Sequence, residues 1–267
     1  MKIRLLNITL FLFLFSTIGY SQDSVAKMEN ISDHKVDLSL DLKTMNVFRG
    51  LFPSAAPTLS TNIGFNWGNW RFGMYGGVGV DGRYRETDLN IKYSQNRYSV
   101  EFEYFYNYTY GITDIPDPGS IFDFNRQTMR GVFDLIVQVQ LDRAGKWNLK
   151  SSTLVAGRDA DIESITEGDE ITTRRGRHRY SQYLELDYTW EWDEYKLKAH
   201  VGGAFSWVNP NGSHFYGNTP GFNNIGLTVS RNLKINNNIS LPIKVSSYNN
   251  IISGQSYLVF SVNLLNF

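Results

Sequence analysis

The stretch YSQYLELDYTWEWDEYKLKAHVGGAFSW, residues 180–207, alternates apolar and polar side chains through two long runs separated by Asp193-Glu194. Successive residues of a strand point to opposite faces, so this period of two predicts two strands with one apolar and one polar face each. The two-residue break predicts a tight hairpin turn. The apolar faces then comprise Leu184, Leu186, Tyr188, Trp190 and Trp192 before the turn, and Tyr195, Leu197, Ala199, Val201, Phe205 and Trp207 after it.

The first 35 residues do not follow this alternation. Residues 1–21 have a basic start, an apolar run and small residues Gly19 and Ser21, which is typical of an export signal peptide. Residues 22–35 are polar and are expected to be a periplasmic lead-in, so the barrel is assigned to residues 36–267. The chain has no cysteine, which excludes a disulfide framework and a lipid-modified cysteine. Its 26 basic and 26 acidic residues balance, so no nucleic-acid partner is expected.

The alternating pattern recurs from Val36 to the last residue and predicts about twelve strands. Their connections alternate in length: turns such as Gly68-Asn69 are short, whereas the connections at 111–127, 157–177 and 209–221 are long. Short periplasmic turns and long outer loops are typical of transmembrane barrels. The sequence therefore predicts an all-β protein, an antiparallel transmembrane β-barrel with both termini periplasmic.

Alternation alone does not say which face is outside, because soluble lipocalin-like barrels and sandwiches also alternate. Strands of about 10–14 residues are long enough to cross a bilayer at a tilt. Aromatic residues such as Trp67, Trp70 and Trp190 gather beside turns, as an interfacial girdle requires. The chain ends on Phe267 in a strand, as bacterial outer-membrane barrels do, but Ser261 and Asn263 share its register. Either a bulge there or recognition of Phe260, Val262 and Leu264 instead is expected. These features favour the outer membrane of the cell over a soluble secreted protein.

The first 110 residues also resemble a known family. They contain Phe48-Arg49-Gly50 at the end of a strand, Pro57, a hairpin rich in Gly and Trp across 67–77, and Glu86-Thr87-Asp88. This pattern resembles the transporter-like Gcw_chp family of bacterial outer-membrane barrels. The resemblance implies a porin-like or transporter-like role and supplies no ligand or catalytic residues.

With the apolar faces outward, the inner face carries charges of both signs. Either this face lines a pore that selects solutes by charge and size, or its ion pairs fill the lumen and close it. The predicted lumen-lining residues are Asp37, Asp41, Lys43, Arg71, Asp88, Lys92, Glu101, Glu103, Asp134, Glu185, Asp187, Glu191, Lys196, Lys198, His200 and Lys244.

Counting back from the turns predicts which charges face one another. Asp187 falls opposite His200, as a structural ion pair or a pH-responsive one. Asp88 falls opposite Glu103, which predicts a bound cation, a raised pKa or, as the favoured interpretation, relief of the repulsion by Lys92.

The loop before the opening hairpin carries a basic run. A guanidinium cluster there predicts either an anion funnel or contact with lipopolysaccharide phosphates. Its members are Arg174, Arg175, Arg177, His178 and Arg179. Further expected partners are outer-membrane lipid and, through the C-terminal strand, the barrel-assembly machinery.

An enzyme is the least favoured class. His178 beside Ser181 is the single candidate pair for a lipid hydrolase, and no sequence motif supports it. No metal site and no cofactor is expected, since neither a calcium-loop spacing nor a phosphate-binding glycine loop occurs. The sequence therefore predicts a porin-like or transporter-like barrel for small polar or charged solutes, with a closed structural or surface-binding barrel as the alternative.

Overall fold

Twelve antiparallel strands form a closed barrel in the computed structural model, which describes residues 36–109, 120–167, 170–235 and 240–266. The predicted signal peptide (1–21) and lead-in (22–35) lie outside the described residues. The barrel strands are β1 (Val36–Lys43), β4 (Thr58–Trp67), β5 (Trp70–Gly79), β6 (Arg85–Gln95), β7 (Tyr98–Asn107), β8 (Val132–Gln140), β9 (Trp147–Gly157), β12 (Ser181–Trp192), β13 (Tyr195–Ser206), β14 (Gly221–Lys234), β15 (Ser240–Asn250) and β16 (Gln255–Asn266). In the described part of the chain, no helix is long and apolar enough to cross a membrane.

Two-residue turns join β4 to β5, β6 to β7 and β12 to β13 at one end of the barrel, as predicted for Gly68-Asn69 and Asp193-Glu194. Gly68, Asn96 and Asp193 open these three turns with φ values of +56°, +33° and +47°. Such left-handed residues suit the two-residue turns that match the twist of paired strands. Strands β1 and β16 also pair with each other, so the first and last described strands close the ring. We call this end, which also holds the start of β1 and the end of β16, the turn end, and the opposite end the loop end.

Large apolar side chains cover the outer face of the barrel. Ile63, Phe72, Phe102, Leu184 and Leu258 are each 40% or more exposed. A soluble barrel would bury these residues, and so wide an apolar surface marks contact with another apolar phase. Exposed aromatic residues gather at both ends of this belt: Trp67, Trp70, Trp147, Trp190 and Trp192 at the turn end, and Tyr180, Trp207 and Phe222 at the loop end.

Two hairpins stand apart from the barrel sheet and were not predicted. The first consists of β2 (Asn46–Phe48) and β3 (Leu51–Ser54), and the second of β10 (Ala160–Glu167) and β11 (Glu170–His178). The prediction that the first strand continues to Gly50 is therefore wrong. The strand ends at Lys43 because the chain bends at Thr44 and Met45. The left-handed backbone of Arg49 and Gly50, with φ values of +48° and +79°, then reverses the chain after Phe48.

Glycines on the inner face make room for large polar side chains of neighbouring strands. A Cβ on Gly202 would lie 2.3 Å from the Tyr183 hydroxyl, and one on Gly226 would lie 2.8 Å from the His200 ring. These approaches require the absence of a side chain. Bulky inward residues therefore lie along the wall instead of projecting across the lumen.

The expected irregularity near the end of the last strand is observed. Leu40 pairs with Leu265 and Asp41 pairs with Asn263, so β16 bulges at this point. The bulge changes which face the following residues occupy. Phe267 itself lies outside the described residues.

Candidate functional site: the barrel lumen

Ion pairs line the lumen at the turn end and remain accessible. Arg71 Nη2 lies 2.7 Å from Asp37 Oδ1, with the two side chains 23% and 35% exposed. Lys198 Nζ lies 2.9 Å from Asp187 Oδ2 and 3.8 Å from Glu185 Oε1. Charges of both signs thus face a part of the lumen that solvent reaches.

The other predicted lumen residues take varied positions. Lys92 Nζ lies 3.8 Å from Glu101 Oε2 inside the barrel, whereas the Lys196–Glu191 pair, at 2.9 Å, is exposed beside its turn. Asp41 accepts a hydrogen bond of 3.1 Å from the Asn263 amide. Asp88 and Asp134 are buried, and Glu103 pairs with Asp134 across β7 and β8. Lys43 is partly exposed, and Lys244 is exposed between Ser230 and Ser261 of the neighbouring strands.

The predicted cross-strand registers are right in one hairpin and wrong in another. Asp187 pairs with His200, as predicted. The carboxylate of Asp187 nevertheless binds Lys198, while His200 Nε2 lies 3.2 Å from Asn224 Oδ1. Asp88 lies opposite Phe105 and not Glu103, because β6 and β7 are joined by a two-residue turn after Gln95, which shifts the register by two.

At the loop end, the hairpin β2–β3 enters the lumen with Arg49 at its tip. The Arg49 guanidinium and the Asp134 carboxylate form an ion pair of 2.7 Å, and their side chains are 4% and 0% exposed. Arg49 also donates to the Tyr216 hydroxyl at 2.6 Å and to the Ser152 hydroxyl. We call this inserted segment, residues 46–54, the Arg49 hairpin.

The backbone of the Arg49 hairpin is fixed as well. Asn223 donates a hydrogen bond of 2.8 Å to the Arg49 carbonyl, and Asn250 donates one of 2.9 Å to the Gly50 carbonyl. A Cβ on Gly50 would lie 1.7 Å from the Asn223 carbonyl oxygen, so only glycine fits. A cavity of about 60 Å³ beside Phe48 and Phe215 is left, which is room for a few water molecules at most.

At the tip, Arg49 is charged and Tyr216 is neutral. Burial opposes the charged form of Arg49, but Tyr216 and Asp134 outweigh it and raise the pKa of this residue. Burial raises the pKa of Tyr216 to about 12, so its hydroxyl stays protonated. A cation and its counter-ion are thus held together with their side chains almost fully buried.

Sequence reasoning missed the role of Arg49. The Phe48-Arg49-Gly50 triplet supported only the family resemblance and was placed at the end of a strand. The available signal was an arginine followed by glycine between two short apolar segments, too short to cross a bilayer. Its partners could not be predicted, because Asp134, Ser152 and Tyr216 lie 85, 103 and 167 residues away.

The predicted basic cluster lies on the outer hairpin β10–β11 and is largely matched by acceptors. Arg174 Nε lies 3.0 Å from Glu163 Oε2, and Arg179 Nε lies 2.9 Å from Asp161 Oδ1. Arg175 is buried and donates to the carbonyls of Arg126 and Met129. Arg177 is exposed. Arg174 and Arg177 are therefore the members best placed to meet an external anion.

The candidate hydrolase pair has other hydrogen-bond partners. Ser181 Oγ donates to Asp159 at 2.7 Å and accepts from the Phe215 amide at 2.8 Å. His178 Nδ1 accepts from the Tyr180 amide at 3.1 Å. These contacts link Ser181 to Asp159 and to the loop before β14 rather than to His178, so they do not form the predicted serine–histidine pair.

The loop between β13 and β14 holds Tyr216 against Arg49 through His214. The Nδ1 atom of His214 accepts from the Tyr216 amide at 3.2 Å, and Nε2 donates to the Thr219 carbonyl at 2.8 Å. The neutral ring with its proton on Nε2 satisfies both contacts. Burial lowers the pKa of His214, with Asp159 acting in the opposite direction and Arg179 in the same direction as burial.

Acidification should therefore loosen this loop. Since the pKa in the folded state lies below the ordinary value of about 6.5, stability from neutral His214 is present above that value. It is lost as the pH falls through the lowered pKa, when Nδ1 is protonated and can no longer accept from Tyr216. Proteolysis of the folded protein between neutral pH and about pH 5 measures this. Cleavage after Phe215 should increase in acid, and His214→Gln should flatten the dependence; equal cleavage at both pH values would contradict the prediction.

The chain is similar to solved porin structures only at very low sequence identity. A scan against family models found no match, so membership of the Gcw_chp family is not confirmed, and a search of curated proteins found no match either. Among solved structures, the NanC porin is 7% identical with a TM-score of 0.42, covering 85% of this chain and 97% of that chain. The KdgM porin is 8% identical with a TM-score of 0.41 and coverages of 85% and 96%. A Rhodopseudomonas blastica porin variant is 8% identical with a TM-score of 0.38 over 79% of this chain, which spans 55% of that porin. The strand pairing described above defines the fold.

Proposed function

We propose that this chain is an outer-membrane barrel that passes small polar or charged solutes through its charge-lined lumen. The observation that carries the proposal is the contrast between its two faces: an exposed apolar belt outside and accessible ion pairs such as Asp37–Arg71 inside. Lipid suits the outer face, and water with dissolved ions suits the inner one.

The membrane location is tested by fractionation and by gel mobility. The protein should sediment with outer membranes and migrate differently before and after heating, as closed barrels do. Recovery as a soluble periplasmic protein would instead support the soluble secreted barrel.

Transport is tested by single-channel conductance of the purified full chain in planar bilayers. The alternative function, a closed barrel that binds partners through its loops, is favoured by the burial of Arg49 and Asp134 at the loop end. We therefore expect the wild-type conductance to be small and the Arg49 hairpin to restrict it. Absence of conductance both in the wild type and in a variant with residues 46–54 replaced by a short Gly-Ser linker would favour the closed barrel.

Selectivity should respond to the lysines of β13. Replacing Lys196 and Lys198 with glutamine removes the partners of Glu185, Asp187 and Glu191, so the lumen becomes more negative. The cation-to-anion permeability ratio, measured from reversal potentials, should rise. Lys146→Gln, in the turn before β9, is the matched control and should leave the ratio unchanged. A ratio that does not move in the double variant would show that these residues do not face the conducting path.

At the rim, we propose that Arg174 and Arg177 contact lipopolysaccharide phosphates, since guanidinium groups bind such anions by forked hydrogen bonds. The C-terminal strand would engage the barrel-assembly machinery during insertion. Loss of lipopolysaccharide binding in an Arg174→Gln/Arg177→Gln variant tests the first of these contacts.

A further inference from the structure

Aromatic rings and one carboxylate surround the guanidinium of Arg49. Its Cζ atom lies 4.6 Å from the ring centroid of Phe48, 5.7 Å from Phe105, 5.5 Å from Tyr183 and 5.9 Å from Tyr216. Cations within about 6 Å of a ring face are attracted by its quadrupole. Only Phe48 belongs to the Arg49 hairpin, so three rings remain on the barrel wall and its loop if the hairpin leaves.

Hydrogen-bond acceptors complete the cage. Asp134 accepts a hydrogen bond from one terminal nitrogen of Arg49, and the hydroxyls of Ser152 and Tyr216 accept from the other. Within the described residues, the Nε of Arg49 finds no hydrogen-bond partner. The tethered guanidinium therefore uses only its two terminal nitrogens as donors, and its Nε lacks an acceptor. A free cation of the same shape could turn in the cage so that more of its N–H groups meet acceptors.

The Arg49 hairpin is able to leave without breaking the barrel. Strands β2 and β3 pair with each other and form no ladder with the barrel strands. The hairpin is held by side-chain contacts at its tip, by the amides of Asn223 and Asn250, and by the stacking of Phe52 on Tyr257 of β16, with ring centroids 4.6 Å apart. Withdrawal thus costs these contacts but none of the backbone hydrogen bonds that close the ring.

Withdrawal also changes the charge around the cage. Lys150 interacts electrostatically with Arg49, Asp134, Glu103 and Glu185. Lys198, 3.8 Å from Glu185, is a further basic neighbour, so with Arg49 in place three acidic side chains face three basic ones. Without Arg49, the acids exceed the bases by one. The vacated cage is therefore negative and favours a cation over an anion.

From this arrangement we infer that the cage of Asp134, Ser152, Phe105, Tyr183 and Tyr216 is a binding site for a small organic cation of the guanidinium type, which Arg49 occupies as a tethered ligand. One consequence rests on the proposed function: if the barrel passes solutes, cations of this type are the favoured ones. Rings, a carboxylate and hydroxyl acceptors on separate elements are what a planar cation with several donors requires.

The test uses the purified full-length Arg49→Ala variant and methylguanidinium chloride, with sodium chloride at equal ionic strength as the reference. Calorimetry should detect methylguanidinium binding to this variant at least about tenfold tighter than to the wild type, whose tethered group competes at an effective concentration on the order of millimolar. Binding should also raise the temperature at which the heated protein loses its compact gel mobility. If Arg49→Ala does not fold, the variant with residues 46–54 replaced by a linker takes its place.

Matched variants separate this site from general charge effects. Arg49→Ala/Asp134→Asn should lose the binding, and Arg49→Ala/Phe105→Leu should weaken it about tenfold by removing one ring face. Arg71→Ala removes another lumen arginine, one surrounded by Asp37, Asn62 and Asn90 instead of rings, and should bind no better than the wild type.

Absence of binding to Arg49→Ala, equal binding to Arg71→Ala, or binding that survives Asp134→Asn would overturn the inference. Conductance distinguishes this failure from failure of the proposed function. If Arg49→Ala conducts but binds no methylguanidinium, the site is wrong and transport stands. If it binds methylguanidinium but no variant conducts, the site stands as a ligand pocket in a closed barrel.

Discussion

Replacing Asp134 with alanine is expected to release the Arg49 hairpin from the lumen, by destabilising its docked state by about 3–5 kcal/mol. The change leaves the guanidinium of Arg49 buried without its counter-ion, and desolvation of an unpaired charge dominates the cost. A tenfold change in an equilibrium constant corresponds to about 1.4 kcal/mol, so the ratio of docked to withdrawn hairpin should fall by a factor on the order of 10² or more. Single-channel conductance should therefore rise strongly, while the barrel strands stay paired.

Two further variants show whether the charge is responsible. In Arg49→Met/Asp134→Leu the buried pair becomes apolar, which is often neutral for stability, and Asn223 and Asn250 still hold the backbone. This double variant should stay as closed as the wild type. Asp37→Ala breaks an ion pair that solvent reaches, worth about 0–1 kcal/mol, and should open nothing. Unchanged conductance in Asp134→Ala would show that the hairpin does not depend on the ion pair.

Replacing Val201 with arginine is expected to impair insertion of the barrel. Val201 lies at the middle of β13, is 37% exposed, and pairs with Leu186 and Ile225 on the apolar face. Arginine facing lipid near the bilayer midplane costs about 2–4 kcal/mol. The yield of heat-modifiable protein in outer membranes, and the urea midpoint of the protein folded in vesicles, should both fall.

The inward neighbour provides the contrast. Lys198→Gln changes the opposite face of the same strand and should leave insertion unaffected, because its side chain meets water and Asp187 instead of lipid. If Val201→Arg inserts normally while Lys198→Gln prevents folding, the faces are reversed and the soluble barrel explains the chain.

The fold was largely predictable because strand faces and turns are local properties. The alternation of residues 180–207 predicted a hairpin whose observed register pairs Asp187 with His200 and Glu191 with Lys196. The hairpins β2–β3 and β10–β11 were missed for the opposite reason. Their strands are short or polar on both faces, so no apolar period distinguishes them from loops.

The site was less predictable than the fold. The side chains that point inward follow from strand parity, and the ion pairs of Lys198 lie on its own hairpin. The position of Arg49 depends on a segment that folds back into the barrel and on residues from β8, β9 and the loop before β14. Sequence periodicity does not predict these contacts, because each partner of Arg49 is an ordinary polar residue in its own segment.

The separate pairing of β2 and β3 also imposes an order on biogenesis. The tip contacts of Arg49 and Gly50 join residues 85 to 200 positions apart, on strands and loops from β8 to β15. The hairpin itself is local and forms early, but its binding surface exists only after those later strands have curved into place. We therefore expect the arginine to dock late, after the segments from β8 to β15 that carry its partners have come together.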